Sequence, residues 1–189
     1  MNLPSEIKSI LQKLESVGFE AFVVGGCVRD LLLSKKPKDW DITTNAEPEK
    51  IQGIFPDSFY ENKFGTVGVK TDSEDDSLKV VEITTYRLES KYSDKRHPDK
   101  IEFTKAIDKD LKRRDFTINA LAMDKDGKVV DLFGGKEDLQ NRLIRAVGEA
   151  EERFDEDALR LLRAIRFAVE LNFEIEEKTL RAIKEKAGL

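Results

Sequence analysis

Hydrophobic residues recur along the first part of the chain at intervals typical first of a helix and then of strands. A first amphipathic helix is predicted from four apolar residues at helical spacing: Ile7, Ile10, Leu11 and Leu14. We expect this helix to end near Gly18. The run FEAFVV then predicts a strand that enters a glycine pair, VRDLLLS a short helix that ends before Pro37, and DWDITT a second strand.

The middle of the chain predicts one more helix and a pair of strands. AEPEKIQGIF is expected to form a helix with Pro48 in its first turn and Asn45 or Thr44 as its N-cap. GTVGVKT and LKVVEITTYR are rich in β-branched residues and predict two strands, and the acidic DSEDDS between them predicts a hairpin turn. The next segment, LESKYSDKRHPDK at 88–100, has almost no apolar residues and predicts a mobile loop.

The second half of the chain predicts a change of architecture. DLKRRDFTINALAM is interpreted as a helix, DKDG as a turn and KVVDLF as a strand. From about residue 141 the strand patterns stop, and EERFDEDALRLLRAIRFAVEL and EEKTLRAIKEKAGL predict two helices. We therefore expect an α/β (α+β) fold with a head over residues 1–140 and the start of a helical neck over residues 141–189.

Composition limits the classes of function. With 38% charged residues and no apolar run near the ~20 residues that cross a bilayer, we expect a soluble protein with no membrane partner. The N-terminal segment does not resemble a signal peptide, and the single cysteine, Cys27, excludes an internal disulfide, so a cytoplasmic location is expected. One cysteine and one histidine also argue against a Cys/His zinc site. The formal charge of −5 excludes a strongly basic nucleic-acid-binding protein, although KRRD at 112–115 permits a local basic patch.

Two aspartates near the glycine pair suggest a metal site. In a strand, Asp39 and Asp41 share one face while Trp40 packs on the other, and paired carboxylates can hold Mg²⁺. The pair follows a strand–glycine–glycine–helix turn at Gly25 and Gly26, where bare backbone N–H groups could meet phosphate. This context favours a site for a nucleotide triphosphate and its metals.

A third acid, Glu82, lies between apolar neighbours in VVEIT, where burial in a core strand would be costly without a partner or a metal. Two simpler interpretations remain open from the residues alone. Asp-x-Asp is common in an acidic chain and recurs at 108–110, 124–126 and 155–157. Glu82 could also face water on an edge strand.

Four blocks of sequence carry a resemblance to a known family. They are VVGGCVRDLLL…KDWDITTNAEP, VEITTYR, DLKRRDFTINALAMD…DLFGG and RFDEDALRLLRAIRFAVEL, in this order across most of the chain. In them the chain resembles the N-terminal half of bacterial tRNA nucleotidyltransferases (CCA-adding enzymes), a group that also contains bacterial poly(A) polymerase. Ser34 and Lys35 stand where glycine is common in the family. Family members are considerably longer, and we do not expect this chain to contain the helical body and tail with which they grip tRNA.

The resemblance implies a polymerase-β-like nucleotidyltransferase head with a mixed β-sheet flanked by helices, followed by the start of an all-helical neck. It implies that Asp39 and Asp41 bind two Mg²⁺ ions. We expect Glu82, from its place in VVEIT, to be the third catalytic acid, either as a metal ligand or by tuning the metal. The head residues that it implies in nucleotide binding are Gly25, Gly26, Arg29, Arg114, Asp115 and Asn119. Without the other blocks, KRRD would be interpreted as a solvated helix face.

The last block suggests a protein template for the base. Projected as a helix, it has one apolar face, made of Ala158, Leu161, Leu162, Ile165, Ala168 and Val169. Arg160, Arg163 and Arg166 lie on its polar side, and a plain amphipathic helix with solvated arginines explains the apolar face equally well. The resemblance implies that Asp157 and Arg160 read the base, because a carboxylate accepts from the exocyclic amino group of C or A and a guanidinium donates to the ring nitrogen. Arg163 and Arg166 would support the pocket or touch phosphate.

The resemblance therefore predicts an enzyme that adds C and A to the 3′ end of tRNA from CTP and ATP. The 3′ hydroxyl attacks the α-phosphate, with two Mg²⁺ ions and release of pyrophosphate. The alternatives are an enzyme that adds only C, only A or a poly(A) tail, and a truncated nucleotide- or RNA-binding fragment with little activity. The full-length loop from Arg87 to Lys100 argues mildly against a C-only enzyme. A partner chain or self-association could compensate for a missing tRNA-binding body.

Overall fold

A computed structural model describes residues 3–62, 64–90, 92–96 and 98–188. Its longer strands are β1 (Ala21–Val24), β2 (Asp41–Thr44), β3 (Ser58–Asn62), β4 (Thr66–Lys70), β5 (Val80–Thr85), β6 (Arg87–Ser90), β7 (Lys100–Phe103), β8 (Leu121–Met123) and β9 (Val129–Asp131). Two short strands follow, β10 (Leu143–Ile144) and β11 (Glu174–Ile175). The helices are α1 (Ser5–Ser16), α2 (Gly26–Leu32), α3 (Pro48–Ile54), α4 (Ile107–Lys112), α5 (Gly135–Asn141), α6 (Ala150–Glu156), α7 (Leu159–Leu171) and α8 (Glu177–Glu185). Within these ranges, no helix combines the length and the apolar character that a bilayer crossing requires.

A seven-stranded mixed sheet forms the centre of the head, in the order β3-β4-β5-β2-β1-β8-β9. The pair β2–β5 is parallel and the other neighbours are antiparallel. One face of the sheet packs on the main core, whose fully buried members include Ile7, Leu11, Leu14, Ile42, Ile51 and Ile83. The other face carries a smaller cluster of Val24, Leu111 and Ala122. Beyond that cluster it is open at Glu82, and this open face is where the candidate site lies.

Most elements predicted for the first half are confirmed. α1 ends at Ser16, two residues before Gly18, which has φ of +90°. α3 begins at Pro48, but the predicted caps are wrong, because no side chain caps that helix. Thr44 Oγ1 instead donates to Glu20 O at 2.5 Å, and Asn45 Oδ1 accepts from Glu20 N at 2.9 Å. Both side chains therefore hold the end of β2 against the chain that enters β1.

The polar segment 88–100 contains more regular structure than its composition predicts. β6 and β7 pair as an antiparallel hairpin, with Arg87 opposite Phe103 and Ser90 opposite Lys100. The loop prediction is therefore wrong at both ends of the segment. Residues 92–96 form turns and bends between the strands, whereas Lys91 and His97 lie outside the described residues.

The segment DLKRRDFTINALAM is not one helix, as predicted, but three different elements. α4 ends at Lys112, a single 3-10 turn covers Thr117–Asn119, and Leu121–Met123 form β8. Asp115 Oδ1 accepts from the backbone N–H of Phe116 at 2.8 Å, a local bond that competes with helical pairing. β8 then pairs with β1, so the apolar end of the segment completes the central sheet.

Residues 141–188, the segment predicted to form a helical neck, are not purely helical, and the long helix predicted there is interrupted. β10 and β11 form a parallel pair, so the expectation that strands stop at residue 141 is wrong. The single helix predicted over 151–171 is divided into α6 and α7 at Asp157 and Ala158. Asp157 has extended backbone angles there, and its Oδ1 accepts from Leu159 N at 2.9 Å, which starts the second helix.

The face of α7 that packs on the head differs from the predicted apolar face. Leu162, Ile165 and Val169 are 65%, 48% and 77% exposed, whereas the buried residues of the helix are Arg160, Leu161, Ala164 and Phe167. The expectation that Arg160 lies on the solvated side of the helix is therefore wrong. Helical periodicity is correct here, but the choice of buried face follows from contacts with the head.

Candidate active site

The glycine turn after β1 brings residues from four separate segments together. Gly25 has φ of +81° and ψ of −134°, a conformation that L side chains rarely adopt. A Cβ at this position would lie 3.1 Å from Arg114 Nη1 and 3.9 Å from both Asn119 O and Asp41 Oδ2. The absence of a side chain thus lets the turn approach β2 and the RRD segment. The Gly25 N–H itself donates to Leu121 O at 3.0 Å, so a phosphate contact from this turn would use its other N–H groups.

Two of the three candidate acids are neighbours on the open face of the sheet. Asp41 and Glu82 are directly paired across the parallel strands β2 and β5, so their side chains lie on the same face. Glu82 is exposed although β5 is an interior strand, so none of the described residues covers this face at that point. The prediction of a core strand is confirmed, and the alternative of an edge strand is wrong, although Glu82 does face solvent.

Asp39 lies outside the strand that was expected to hold it. β2 begins at Asp41, and Asp39 is an exposed residue of the preceding bend. Trp40, between the two aspartates, is 4% exposed and packs in the main core as predicted. Among the described residues no three acidic, cysteine or histidine side chains are grouped closely enough to hold an ion by themselves.

The paired carboxylates nevertheless fit magnesium as proteins usually bind it. Mg²⁺ commonly takes one or two carboxylates and completes its coordination with water and the phosphates of a substrate. Asp41 and Glu82 provide two adjacent carboxylates on an accessible face, and Asp39 is two residues away along the chain. The donor set is all oxygen, which suits this hard cation.

Arg114 supplies positive charge beside the glycine turn and has unused hydrogen-bonding capacity. Its side chain is 18% exposed, and Nη2 forms an ion pair with Asp110 Oδ2 at 3.4 Å. Its Nε is buried and has no hydrogen-bond partner among the described residues. The guanidinium atom that approaches the glycine turn is Nη1, which lies 3.1 Å from the position of a Cβ built on Gly25 and is placed to contact an anionic ligand there.

A chain of polar contacts links the head to α7. Arg29 Nη1 donates to Asn119 Oδ1 at 2.9 Å, and Asn119 Nδ2 donates to Asp115 Oδ1 at 3.2 Å. The other oxygen of Asp115 accepts from Arg163 Nε at 2.7 Å. Asp115 is 8% exposed, so this carboxylate carries its charge in a largely buried position and is satisfied from both sides. The contacts hold four predicted site residues in one network.

Phe167 gathers three arginines at the junction of head and neck. The guanidinium carbons of Arg29, Arg163 and Arg166 lie 5.2, 5.1 and 5.0 Å from the centre of its ring. Phe116 packs edge-on against the same ring at 5.9 Å. Each of these arginines also has a carboxylate partner, Asp30, Asp115 and Glu170 respectively, so the cluster combines ring contacts with ion pairs.

Arg160 points into the protein and is held by backbone and carboxylate oxygens. It is 7% exposed, Nη1 pairs with Glu156 Oε2 at 2.6 Å, and Nη2 donates to Arg113 O at 3.1 Å. Nη1 also donates to Arg153 O at 3.2 Å. Asp157 lies next to this group on the break between α6 and α7.

The sequence is similar to that of a known family. The family described as the poly A polymerase head domain matches residues 21–145. The chain belongs to this family. It is 55% identical over 181 residues to the CCA-adding enzyme of Lactobacillus helveticus, covering 95% of this chain and 44% of that protein. It is 50% identical over 192 residues to the CCA-adding enzyme of Ligilactobacillus salivarius, covering all of this chain and 46% of that protein.

Solved structures confirm the mixed α/β fold of a nucleotidyltransferase head. The Bacillus stearothermophilus CCA-adding enzyme in complex with CTP superposes with a TM-score of 0.84 at 44% identity, over 94% of this chain and 42% of that one. The Thermotoga maritima CCA-adding enzyme complexed with tRNA superposes with a TM-score of 0.76 at 30% identity, over 98% and 43%. The chain thus spans less than half the length of these relatives.

The sequence predicted most of the polar residues that meet at the glycine turn of this poly A polymerase head-domain fold. It did not predict three residues that support those side chains. Asp110, Glu156 and Phe167 hold Arg114, Arg160 and the arginine cluster, respectively. Glu156 and Phe167 could have been found from spacing, because each lies three or four residues from an arginine of the same helical segment. Asp110 could not be singled out in this way, because it belongs to one of several Asp-x-Asp pairs in the chain.

Proposed function

We propose that this chain carries the catalytic head of a template-independent RNA nucleotidyltransferase that adds C and A to the 3′ end of tRNA from CTP and ATP. The observation that carries the proposal is the convergence of Asp41, Arg114 and Asn119 on the bare Gly25 turn, all within 4 Å of one point. The names of the related proteins, and the CTP and tRNA in two solved relatives, support the same substrates.

In this proposal the acids hold Mg²⁺ and the glycine turn receives the triphosphate. Asp39 and Asp41 bind the metal and Glu82 contributes from the neighbouring strand, and Mg²⁺, when bound, supplies Lewis-acid activation of the 3′ hydroxyl and neutralises the pyrophosphate. Arg114 contacts the phosphates through its Nη1, the guanidinium atom nearest to the glycine turn. Gly26 leaves room beside Arg29, whose nearest guanidinium nitrogen is 3.6 Å from the position of an added Cβ.

Asp157 and Arg160 select the base in the proposed reaction. Asp157 accepts from the exocyclic amino group of C or A, and Arg160 donates to the adjacent ring nitrogen. Uracil and guanine present the opposite groups at these positions and leave buried polar atoms unpaired, which costs on the order of a few kcal/mol. Because both terminal nitrogens of Arg160 already donate to protein oxygens, binding of the base requires Arg160 to exchange one carbonyl contact for the ring nitrogen.

An extension assay tests the proposal directly. Transfer RNA without its CCA end is incubated with Mg²⁺ and with each labelled nucleotide, offered singly and together. Incorporation of C and then A, absent with UTP or GTP, is the expected result, and Asp41→Ala should abolish it. Asp126→Ala is the matched control, since Asp126 belongs to another Asp-x-Asp pair and is exposed in the turn between β8 and β9. Equal loss in both variants would contradict the assignment of Asp41.

The other outcomes of the assay separate the remaining functions. A long run of A indicates a poly(A) polymerase, and incorporation of C alone or A alone indicates an enzyme of narrower specificity. Selective binding of CTP and ATP without incorporation indicates a nucleotide-binding fragment. We also propose a division into head and neck at residue 140 and a cytoplasmic location. We further propose that a partner chain or a second copy of this chain binds the exposed apolar face of α7. Light scattering would test for the second copy.

A further inference from the structure

A buried carboxylate beneath the nucleotide site has no role in the proposed reaction as described so far. Asp110 lies in the last turns of α4 and its side chain is fully buried. A buried, ionised carboxylate is costly unless several donors satisfy it, so its surroundings need an explanation. They contain hydrogen-bond donors from three separate segments of the chain.

The two oxygens of Asp110 bind different groups. Oδ1 accepts from Arg113 Nε at 3.0 Å, from Arg113 Nη2 at 2.9 Å and from the backbone N–H of Arg87 at 3.3 Å. Oδ2 accepts from Thr43 Oγ1 at 3.2 Å and pairs with Arg114 Nη2 at 3.4 Å. Oδ1 therefore ties α4 to the β6–β7 hairpin, and Oδ2 faces the candidate site.

The two groups that contact Asp110 Oδ2, Thr43 and Arg114, lie next to residues of the candidate site. Thr43 is two residues beyond Asp41 on β2, so both side chains lie on the open face of the sheet. Arg114 Nη1 is the atom nearest to a Cβ built on Gly25, at 3.1 Å. Asp110 thus holds Nη2 of the guanidinium while Nη1 lies beside the glycine turn.

Arg113 leaves Oδ2 to Arg114, because its own donors are used by Oδ1 of Asp110 and by Glu89. Its Nη1 forms an ion pair with Glu89 Oε1 at 2.9 Å, and Glu89 also pairs with Arg87 Nε at 2.7 Å. Burial raises the pKa of the Asp110 carboxyl, but the charges of Arg113 and Arg114 outweigh burial and leave the pKa below its ordinary value. The carboxylate is therefore charged at neutral pH.

From these contacts we infer that Asp110 is a positioning residue that holds the Arg114 guanidinium toward the triphosphate. The inference rests on the proposed function, because it takes the triphosphate of CTP or ATP as the ligand of Arg114. Asp110 does not itself touch the ligand. It acts through a fixed orientation of Arg114, which would otherwise lose side-chain entropy on binding.

A double-mutant cycle on CTP binding tests the inference in the full chain. Asp110→Asn should weaken the binding of CTP with Mg²⁺ by about tenfold, the size of a charged hydrogen bond that is partly retained. In the Arg114→Ala background the same change should have no further effect on CTP affinity, although it should still lower the unfolding midpoint in urea. A purely structural role predicts that the loss of affinity persists in that background, and this result would overturn the inference.

A second variant covers the case in which Asp110→Asn does not fold. Arg114→Lys keeps the positive charge but has a single ammonium group, which cannot bridge Asp110 and the glycine turn at the same time. CTP affinity should fall nearly as far as in Arg114→Ala, and retained affinity would overturn the inference. Two controls separate failure of the inference from failure of the proposed function: CTP binding by the unaltered chain, and weaker CTP binding by Arg114→Ala. If both are seen and Asp110→Asn binds CTP normally, the inference fails while the proposed function stands. If the unaltered chain does not bind CTP, both fail.

Discussion

Replacing Gly25 with alanine should impair nucleotide binding more than it impairs folding. The backbone angles at Gly25, φ +81° and ψ −134°, lie where a residue with a Cβ is strained by about 1–3 kcal/mol. The added methyl group would also meet Arg114 Nη1 at 3.1 Å, so the guanidinium must move by a few tenths of an ångström. Loss of one charged contact to phosphate corresponds to roughly 1.4 kcal/mol, or about tenfold in CTP affinity.

Gly18→Ala provides a matched control for backbone strain alone. Gly18 has φ of +90°, and a Cβ built there meets nothing within 4 Å. Both variants should lose comparable stability in urea, with a fall in melting temperature of about 2–4 °C per kcal/mol for a chain of this size. Titration calorimetry with CTP and Mg²⁺ should show normal affinity for Gly18→Ala and weakened affinity for Gly25→Ala. Equal affinities in the two variants would refute the argument that Gly25 is bare in order to admit Arg114.

Three further predictions concern stability and reactivity. Arg163→Ala should lower the free energy of unfolding in urea by about 1–2 kcal/mol, because it removes a donor from the nearly buried Asp115. Arg166→Ala should lower it by under about 0.5 kcal/mol, because the ion pair of Arg166, at 3.7 Å, is exposed. Equal losses would contradict a stabilising contact between Arg163 and Asp115. Folding lowers the pKa of Asp110 from 3.8, so its contribution to stability should be fully present above pH 3.8 and lost as the pH falls through the lowered pKa. The free energy of unfolding of Asp110→Asn should therefore depend less on pH in acid than that of the unaltered chain. Burial raises the pKa of Cys27 to about 12, and a thiol reagent at neutral pH should label it only in unfolded protein; fast labelling of the native chain would contradict its burial.

Elements with strong local signals were predicted well from the sequence. α1 has apolar residues at helical spacing and a glycine just after its end, and both are effects within a few residues. The strands β4 and β5 are likewise marked by β-branched residues and an acidic connection. The glycine turn and its aspartates were also found, because their residue types are unusual at that spacing and the family blocks continue on both sides.

Elements that depend on distant partners were predicted poorly. Leu121–Met123 have a helical pattern in the sequence but form β8, since β1 offers an unpaired strand edge that they complete. The ends of the polar segment 88–100 form strands because they pair with each other across the loop, not because of their composition. The position of Glu82 on an uncovered interior strand could not be deduced from its apolar neighbours, which report burial on only one face of the sheet.

The sequence by itself determined the periodicity of the elements, the glycine turn and the set of charged residues available for chemistry, since these depend on residue type and short-range geometry. Tertiary structure decided which of those charges meet. Arg160 is buried and Val169 exposed on the same helix because carbonyl oxygens of Arg113 and Arg153 face Arg160. Asp110 holds Arg114 because α4 packs on the face of the sheet that carries Thr43, a contact between residues 67 positions apart in the chain. Such long-range contacts leave no local pattern, and they set the orientation of the side chains in the candidate site.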